Sequence, residues 1–273
     1  MSGLTLLALL VTGGVTGAIG ALMGIGGGVF LIPTLVLWFG IPIGKAAGAG
    51  LVAIIATSCA AASVNLDKGL VNIPLALTLE TATVFGTLVG GALAGLIPPH
   101  ILILIFGLLL AGVSILLWRG RSRGSDHEQA ETSGPFAAQY HDPAANRTVS
   151  YSVRRLPTGL GVGFFAGGLS GLLGIGGGVL KVPALHLWCG IPMKGAAATS
   201  NYMIGMTGAA GALFYFFQGR LDPVLSGVVA MGVLLGSRAG ALVSRRIPDR
   251  HLRRAFALLT VFLAVQMLRR ALG

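Results

Sequence analysis

Apolar residues fill this chain in long runs, without the alternation of a half-buried strand. In the first part of the chain the runs cover roughly 3 to 23, 28 to 41, 44 to 66, 70 to 96 and 100 to 118. Four of them approach the ~20 residues a helix needs to cross hydrocarbon. The second holds only about 14 and contains Pro33, so a short tilted helix or a re-entrant one is expected there. The same succession returns from about residue 157, with Pro183 in the place of Pro33. Between the two sets, residues 119 to 156 are rich in Ser, Gly, Pro and charge, the pattern of a mobile aqueous linker.

Displacing the sequence by 150 residues aligns GIGGGVFLIPTLVLWFGIP from Gly24 with GIGGGVLKVPALHLWCGIP from Gly174. Gly69 then meets Gly219, Gly86 meets Gly236, Gly90 meets Gly240, Phe106 meets Phe256, and Ile97-Pro98 meets Ile247-Pro248. The chain therefore reads as an internal duplication: 1–118 a first transmembrane repeat, 119–156 a polar cytoplasmic linker and 157–273 a second repeat. Residues 1 to 8 carry no Lys or Arg and have a counterpart in mid-chain, so they are read as part of the fold and not as a signal peptide.

Loop charge bears on orientation. Five crossings per copy would invert the second copy, and four would leave it parallel. With the linker and its Arg119, Arg121, Arg123, Arg147, Arg154 and Arg155 in the cytoplasm, five crossings also place Arg245, Arg246, Arg250, Arg253 and Arg254 there. The counterpart of that second cluster, 96 to 100, holds no Lys or Arg and would lie outside. Four crossings would put the five-arginine loop outside, against the positive-inside tendency. An inverted repeat with 8–10 transmembrane helices is expected, although Arg269 and Arg270 at an exterior C-terminus run against it.

Composition agrees with this picture: 54% of residues are hydrophobic and 10% charged, with a mean hydropathy of +0.86, outside the soluble range. The 44 glycines, spaced by four at Gly159, Gly163, Gly167 and Gly171 and again at Gly232, Gly236 and Gly240, suit close packing of membrane helices. A net charge of +11 gathered in short loops reads as orientation. No aromatic residues interleave with it as a nucleic-acid partner would require. Cys59 and Cys189 have no metal-ligand spacing and read as buried small residues. Asn146-Arg147-Thr148 fits a glycosylation tripeptide at chance frequency and carries no weight.

The candidate chemistry lies at the two GIGGG stretches. If each opens the helix that follows, uncovered backbone N–H groups at Gly26, Gly27, Gly28 and at Gly176, Gly177, Gly178 form an anion site; close packing alone is the competing reading. Lys181, where the first copy has Leu31, would balance a bound anion, or would only snorkel to the interface. Thr199, Ser200 and Asn201, opposite Ala49, Gly50 and Leu51, could complete the coordination, or could cap the helix they begin. Glu80 and Arg238 are the remaining embedded charges. They read as a pair across the repeat interface, or as a proton carrier (a coupling candidate) and a second anion contact. His186 is expected to be a hydrogen-bonded packing residue. There is no HExxH, no GxSxG and no paired carboxylates in an apolar run, so no catalytic residue, metal or cofactor is expected.

The duplicated GxGGG, followed by Pro, a short apolar helix and G-I-P with a nearby Lys, resembles the TauE/SafE sulfite exporter family of membrane permeases over both halves. The motif stands here as Gly24, Gly26, Gly27, Gly28 and Pro33, and as Gly174, Gly176, Gly177, Gly178 and Pro183. A-A-A-T-S-N from Ala196, Q-G-R-L-D from Gln218 and IPDRHLRRAF from Ile247 are similar to further stretches of that family. Gly48-Ala49-Gly50 departs from it where Thr-Ser is expected. The resemblance implies a permease for sulfite or other sulfur-containing organic anions.

The expected molecule is thus an all-α integral membrane protein of the cell (inner or plasma) membrane. It has two five-segment copies and short or broken helices after the glycine motifs. Its partners would be a small anionic substrate, the lipid bilayer and potentially a second copy of itself, with no nucleic acid. With no nucleotide motif, a gradient would drive it. A cation or metal permease and a non-transporting scaffold are the alternatives; the first would call for clustered carboxylate, His or Cys ligands, and the second leaves Lys181 unexplained.

Overall fold

The computed structural model describes residues 3–23, 26–119, 134, 136–142, 147–243 and 249–272. Gly24, Arg121, Arg123, Asn146 and residues 245–248 lie outside the described residues, as do the side chains of Arg119, Arg147, Arg250, Arg253 and Arg254. The first copy folds into α1 (Gly3–Met23), α2 (Gly28–Leu37), α3 (Ile43–Asp67), α4 (Ile73–Leu93) and α5 (Pro99–Arg119). The second gives α6 (Leu156–Leu173), α7 (Gly178–Leu187), α8 (Met193–Phe217), α9 (Pro223–Val243) and α10 (Asp249–Leu272). Among the described residues, five helices, α1, α3, α4, α6 and α9, are long and apolar enough to cross a membrane. Large apolar side chains face outward on them and on α8, where Phe217 is 78% exposed, as lipid contact allows and water would not.

α2 and α7 have 10 residues each, about 15 Å of helix at 1.5 Å per residue. Half the hydrocarbon thickness is all they can cover. Pro33 and Pro183 lie inside them, each removing one N–H from the ladder.

The copies interlock. α1 packs on α9 and α4 on α6, while α3 meets α8 and α5 meets α10. Exchanging one copy for the other maps this set of contacts onto itself. The glycines explain the two cross-copy pairs, because a Cβ on Gly167 would stand 2.0 Å from the Thr83 carbonyl oxygen, and one on Gly236 would stand 1.8 Å from that of Gly14. Only hydrogen fits at such crossings. Equivalent hydroxyls bridge both: Thr87 donates to the Gly167 carbonyl and Ser237 to that of Gly17, each at 3.2 Å.

The order of contacts gives direction. Gly232 meets Leu10, Gly236 meets Gly14 and Gly240 meets Ala18, so α1 and α9 run parallel. Gly211 meets Leu51, Gly208 meets Leu51 and Ile54, and Gly205 meets Ser58, so α3 and α8 run antiparallel. Equivalent helices of the two copies therefore point in opposite senses at the centre of the bundle.

The segment read as a mobile linker contains an antiparallel hairpin, β1 (Ala138–Asp142) and β2 (Arg147–Tyr151). Its Tyr140 and Tyr151 are buried against Leu75, Leu185, Ile191 and Met203, and the Asn72 amide donates to the Phe136 carbonyl at 2.9 Å. The hairpin so closes the end of the bundle where α4 and α8 begin and α7 ends. Burial raises the Tyr151 phenol above its usual range.

Candidate functional site

Each glycine motif delivers the chain to a short helix that starts inside the bundle. Gly176 and Gly177 take φ of +75° and +68°, a conformation that a Cβ disfavours. In the first copy Gly26 does the same at +84°, whereas Gly27 is right-handed at −68°. Neither start has a side-chain cap; the first turns close onto the Gly177 carbonyl from the N–H groups of Leu180 and Lys181, at 3.1 and 3.0 Å, and onto the Gly27 carbonyl from those of Phe30 and Leu31, at 3.2 and 3.0 Å. Ile54 and Ile204, equivalent residues of α3 and α8, stand over both motifs: a Cβ on Gly26 or on Gly176 would touch the pair. The beginnings of α2 and α7 thus approach one another across two isoleucines.

Lys181 lies in the first turn of α7, 2% exposed. Its ammonium donates to Glu80 Oε2 at 3.1 Å and to Thr207 Oγ1 at 2.8 Å. The Thr207 hydroxyl in turn donates to Glu80 Oε1 in a short hydrogen bond. Glu80 is 4% exposed on α4, and α8 supplies Thr207. Three helices from both copies therefore close a ring of one cation, one anion and one hydroxyl away from water. Pairing makes such burial tolerable. The other half of the bundle has no such set, for the equivalent positions are Leu31, Thr57 and Ala230.

A crevice of about 10 Å³, room for a single water, reaches Lys181 between Leu79, Gly163, Leu185 and Met203. Those leucines and Met203 belong to the cluster under the hairpin tyrosines. At the opposite end of the bundle an open cleft of about 310 Å³ is lined by Lys45 at the start of α3, Gly95 after α4 and Arg220 after α8.

Several expected contacts fall out differently. Glu80 pairs with Lys181 and not with Arg238, which is exposed on α9 five residues before that helix ends. The long Arg stem suits snorkelling there. Thr199, Ser200 and Asn201 lie within α8, which starts at Met193 after Pro192, so capping of that helix is excluded. The Thr199 hydroxyl accepts the backbone N–H of Asn72 at 3.1 Å. Asn201 is buried, and its carbonyl accepts from Ser58 at 2.5 Å. The Ser200 hydroxyl is fully buried with no hydrogen-bond partner among the described residues. His186 donates from Nδ1 to the Ile191 carbonyl at 2.9 Å, in keeping with a packing role. Cys189 is buried, but Cys59 is exposed on α3. Thr207 escaped the sequence reading, although a threonine at the same place in both copies, Thr57 and Thr207, was there to be seen.

Comparison with known proteins gives one consistent result. The family described as "Sulfite exporter TauE/SafE" matches residues 9–267. The chain is 24% identical to the probable membrane transporter protein YunE of Bacillus subtilis, covering 95% of this chain and 96% of that one. It is 29% identical to a probable membrane transporter protein of Xylella fastidiosa, covering 98% of both. A probable membrane transporter protein of Methanocaldococcus jannaschii, MJ0441, is 25% identical over 90% of this chain and 88% of its own. No solved structure matches. The apolar helical bundle and the extent of these matches, end to end through both copies, place the chain in the TauE/SafE sulfite exporter family.

Proposed function

We propose that this membrane transporter is a gradient-driven carrier of a small oxyanion, sulfite or an organosulfonate, in the cell membrane. The observation that carries the reading is the buried Lys181 ammonium beside the start of α7, in one half of the bundle only. A duplicated scaffold packs well with Leu31 at that place, so packing does not call for a lysine. Lys181, the uncapped N–H groups of Gly178 and Val179 and the spare hydroxyl of Ser200 would hold the oxyanion. Gly26, Gly27 and Gly28 would face it from the first copy across Ile54 and Ile204. Thr199 and Asn201 would hold α8 against α4 and α3, and Arg238 would stay at the interface.

The copies would be inverted across the membrane, with the N-terminus outside and the hairpin inside. The antiparallel run of α3 and α8 and the parallel run of α1 and α9 support this arrangement. The cleft with Lys45 and Arg220 would then open outward, its two cations drawing anions in. The family's name supports the substrate class, and the relatives' names support a membrane transporter.

A thermal-shift screen of the purified protein against sulfite, sulfate, taurine, sulfoacetate and carboxylate analogues tests the reading. Sulfite or a sulfonate should raise the melting temperature of the wild-type protein. Lys181→Met should weaken binding a hundredfold or more, since a charged hydrogen-bond donor contributes about 1.5–3 kcal/mol and its charge somewhat beyond that. Transport by Lys181→Met at the wild-type rate and half-saturation would place the anion elsewhere.

A further inference from the structure

We propose that Glu80 is the proton-binding residue of this site, and that an anion can take its place on Lys181 only when a proton neutralises it, so that proton and anion travel together, one for one. The inference rests on the anion-carrier reading and adds the coupling ion to it.

The argument starts from the ring. Glu80 offers two oxygens; one accepts from Lys181 and the other from Thr207. The ammonium's charge is therefore already balanced, and it is not a cation waiting for a substrate. An anion arriving at Lys181 would share one positive charge with a carboxylate about 3 Å from that ammonium. At an effective dielectric of ~20, two like charges ~4 Å apart would weaken binding about a thousandfold. Protonation of Glu80 removes the repulsion and frees the ammonium in the same event. The balance is simple: one proton goes onto a Glu80 oxygen, one monoanion goes onto Lys181, and the net charge of the site is unchanged.

Thr207 is placed to serve both states. Its oxygen accepts from Lys181 throughout, and its hydrogen can point to the Glu80 carboxylate or to the backbone carbonyl of Met203, 3.2 Å away. The hydroxyl can also donate to an anion once Glu80 no longer needs it.

The other titratable groups on the helices packed against the ring are bonded or placed elsewhere. α6, packed along α4, carries no titratable side chain. α7 brings Lys181 itself and His186, which is bound to the Ile191 carbonyl. On α8, Lys194 is exposed near the helix start, Tyr202 is half-buried away from the ring, and the Tyr215 hydroxyl donates to the Gly171 carbonyl. The hairpin tyrosines are buried in the cluster beyond Leu79. In the other half Leu31 and Ala230 leave nothing to protonate, so one proton site per chain is expected.

The test is equilibrium binding of isethionate to the full chain in detergent, followed by calorimetry in two buffers of different protonation enthalpy. The sulfonate of isethionate stays ionised across the assay range; sulfite, with its own ionisation subtracted, serves if isethionate does not bind. The expected result is one proton taken up per anion, with affinity rising up to about tenfold per unit fall in pH. Glu80→Gln should bind with no proton uptake and with pH-independent affinity, and in proteoliposomes it should lose accumulation driven by a pH gradient. Wild-type binding with no proton uptake overturns the coupling while leaving the anion carrier standing. Proton uptake that survives in Glu80→Gln moves the proton elsewhere and also overturns it. Failure of the wild type to bind isethionate or sulfite at any pH removes the carrier reading and this one with it. Should Glu80→Gln not fold, the wild-type proton count alone decides.

Discussion

Removing one partner of the Lys181–Glu80 pair should be far worse than removing both. With Lys181→Met the carboxylate of Glu80 keeps the Thr207 hydroxyl but loses its counter-ion in a site 4% exposed. An uncompensated buried charge costs about 3–5 kcal/mol. Glu80→Gln leaves the ammonium in the same position and should cost a similar amount. In Glu80→Gln/Lys181→Met no charge remains and the volumes are nearly kept, so the double variant should lie within about 2 kcal/mol of wild type. The coupling energy is then about 4 kcal/mol or more, well above the ~0.5 kcal/mol within which independent sites add. Reversible unfolding of the purified protein in mixed micelles, titrated with a denaturing detergent, measures all four corners. Pairing Glu80→Gln with Arg238→Gln supplies the contrast: Arg238 is exposed on α9, and those two changes should add. A double variant as unstable as the sum of its singles, or coupling to Arg238 in place of Lys181, would refute the ring.

Two further outcomes are expected. Gly167→Ala should separate α4 from α6 and cost several kcal/mol in the same unfolding assay, because its methyl would lie 2.0 Å from the Thr83 oxygen; Gly161→Ala on the same helix meets nothing within 4 Å and should be neutral or gain up to ~1 kcal/mol. Cysteines placed at His100 and Asp249, at the starts of α5 and α10, in a protein lacking Cys59 and Cys189, should label from opposite sides of sealed vesicles. Labelling from one side would replace the inverted arrangement with a parallel one.

Helix positions were legible in the sequence because the duplication reports each element twice. The run of 44 to 66 became Ile43–Asp67, and 100 to 118 became Pro99–Arg119. Pairing was not legible. Glu80 and Arg238 both lie on the fourth helix of a copy, which suggested that they meet, but α4 turns its glycine face to α6 and α9 turns its own to α1. The partner of Glu80 came instead from α7, whose short length and inward start bring Lys181 to mid-bundle. Thr199 looked like the beginning of a helix because hydroxyl residues favour caps. Pro192 and the helix-forming alanines at 196 to 198 start that helix earlier. The hairpin hides in a polar segment because its alternation spans only five residues per strand, and its two anchoring tyrosines are sparse against that background.

The cross-copy glycine seams also constrain how the protein is made. α1 leaves the ribosome well before α9, yet the surface that matches its glycines belongs to α9, and the Ser237–Gly17 bond joins residues 220 apart. Until α9 is inserted, the small-residue face of α1 has only lipid beside it. The first copy cannot complete itself, since α4 likewise waits for α6 from the second. Assembly is therefore a late event in synthesis, in which helices of both copies sort into a bundle that neither half could form alone. A fault in the last third of the chain would leave α1 without α9 beside it and exposed to membrane quality control.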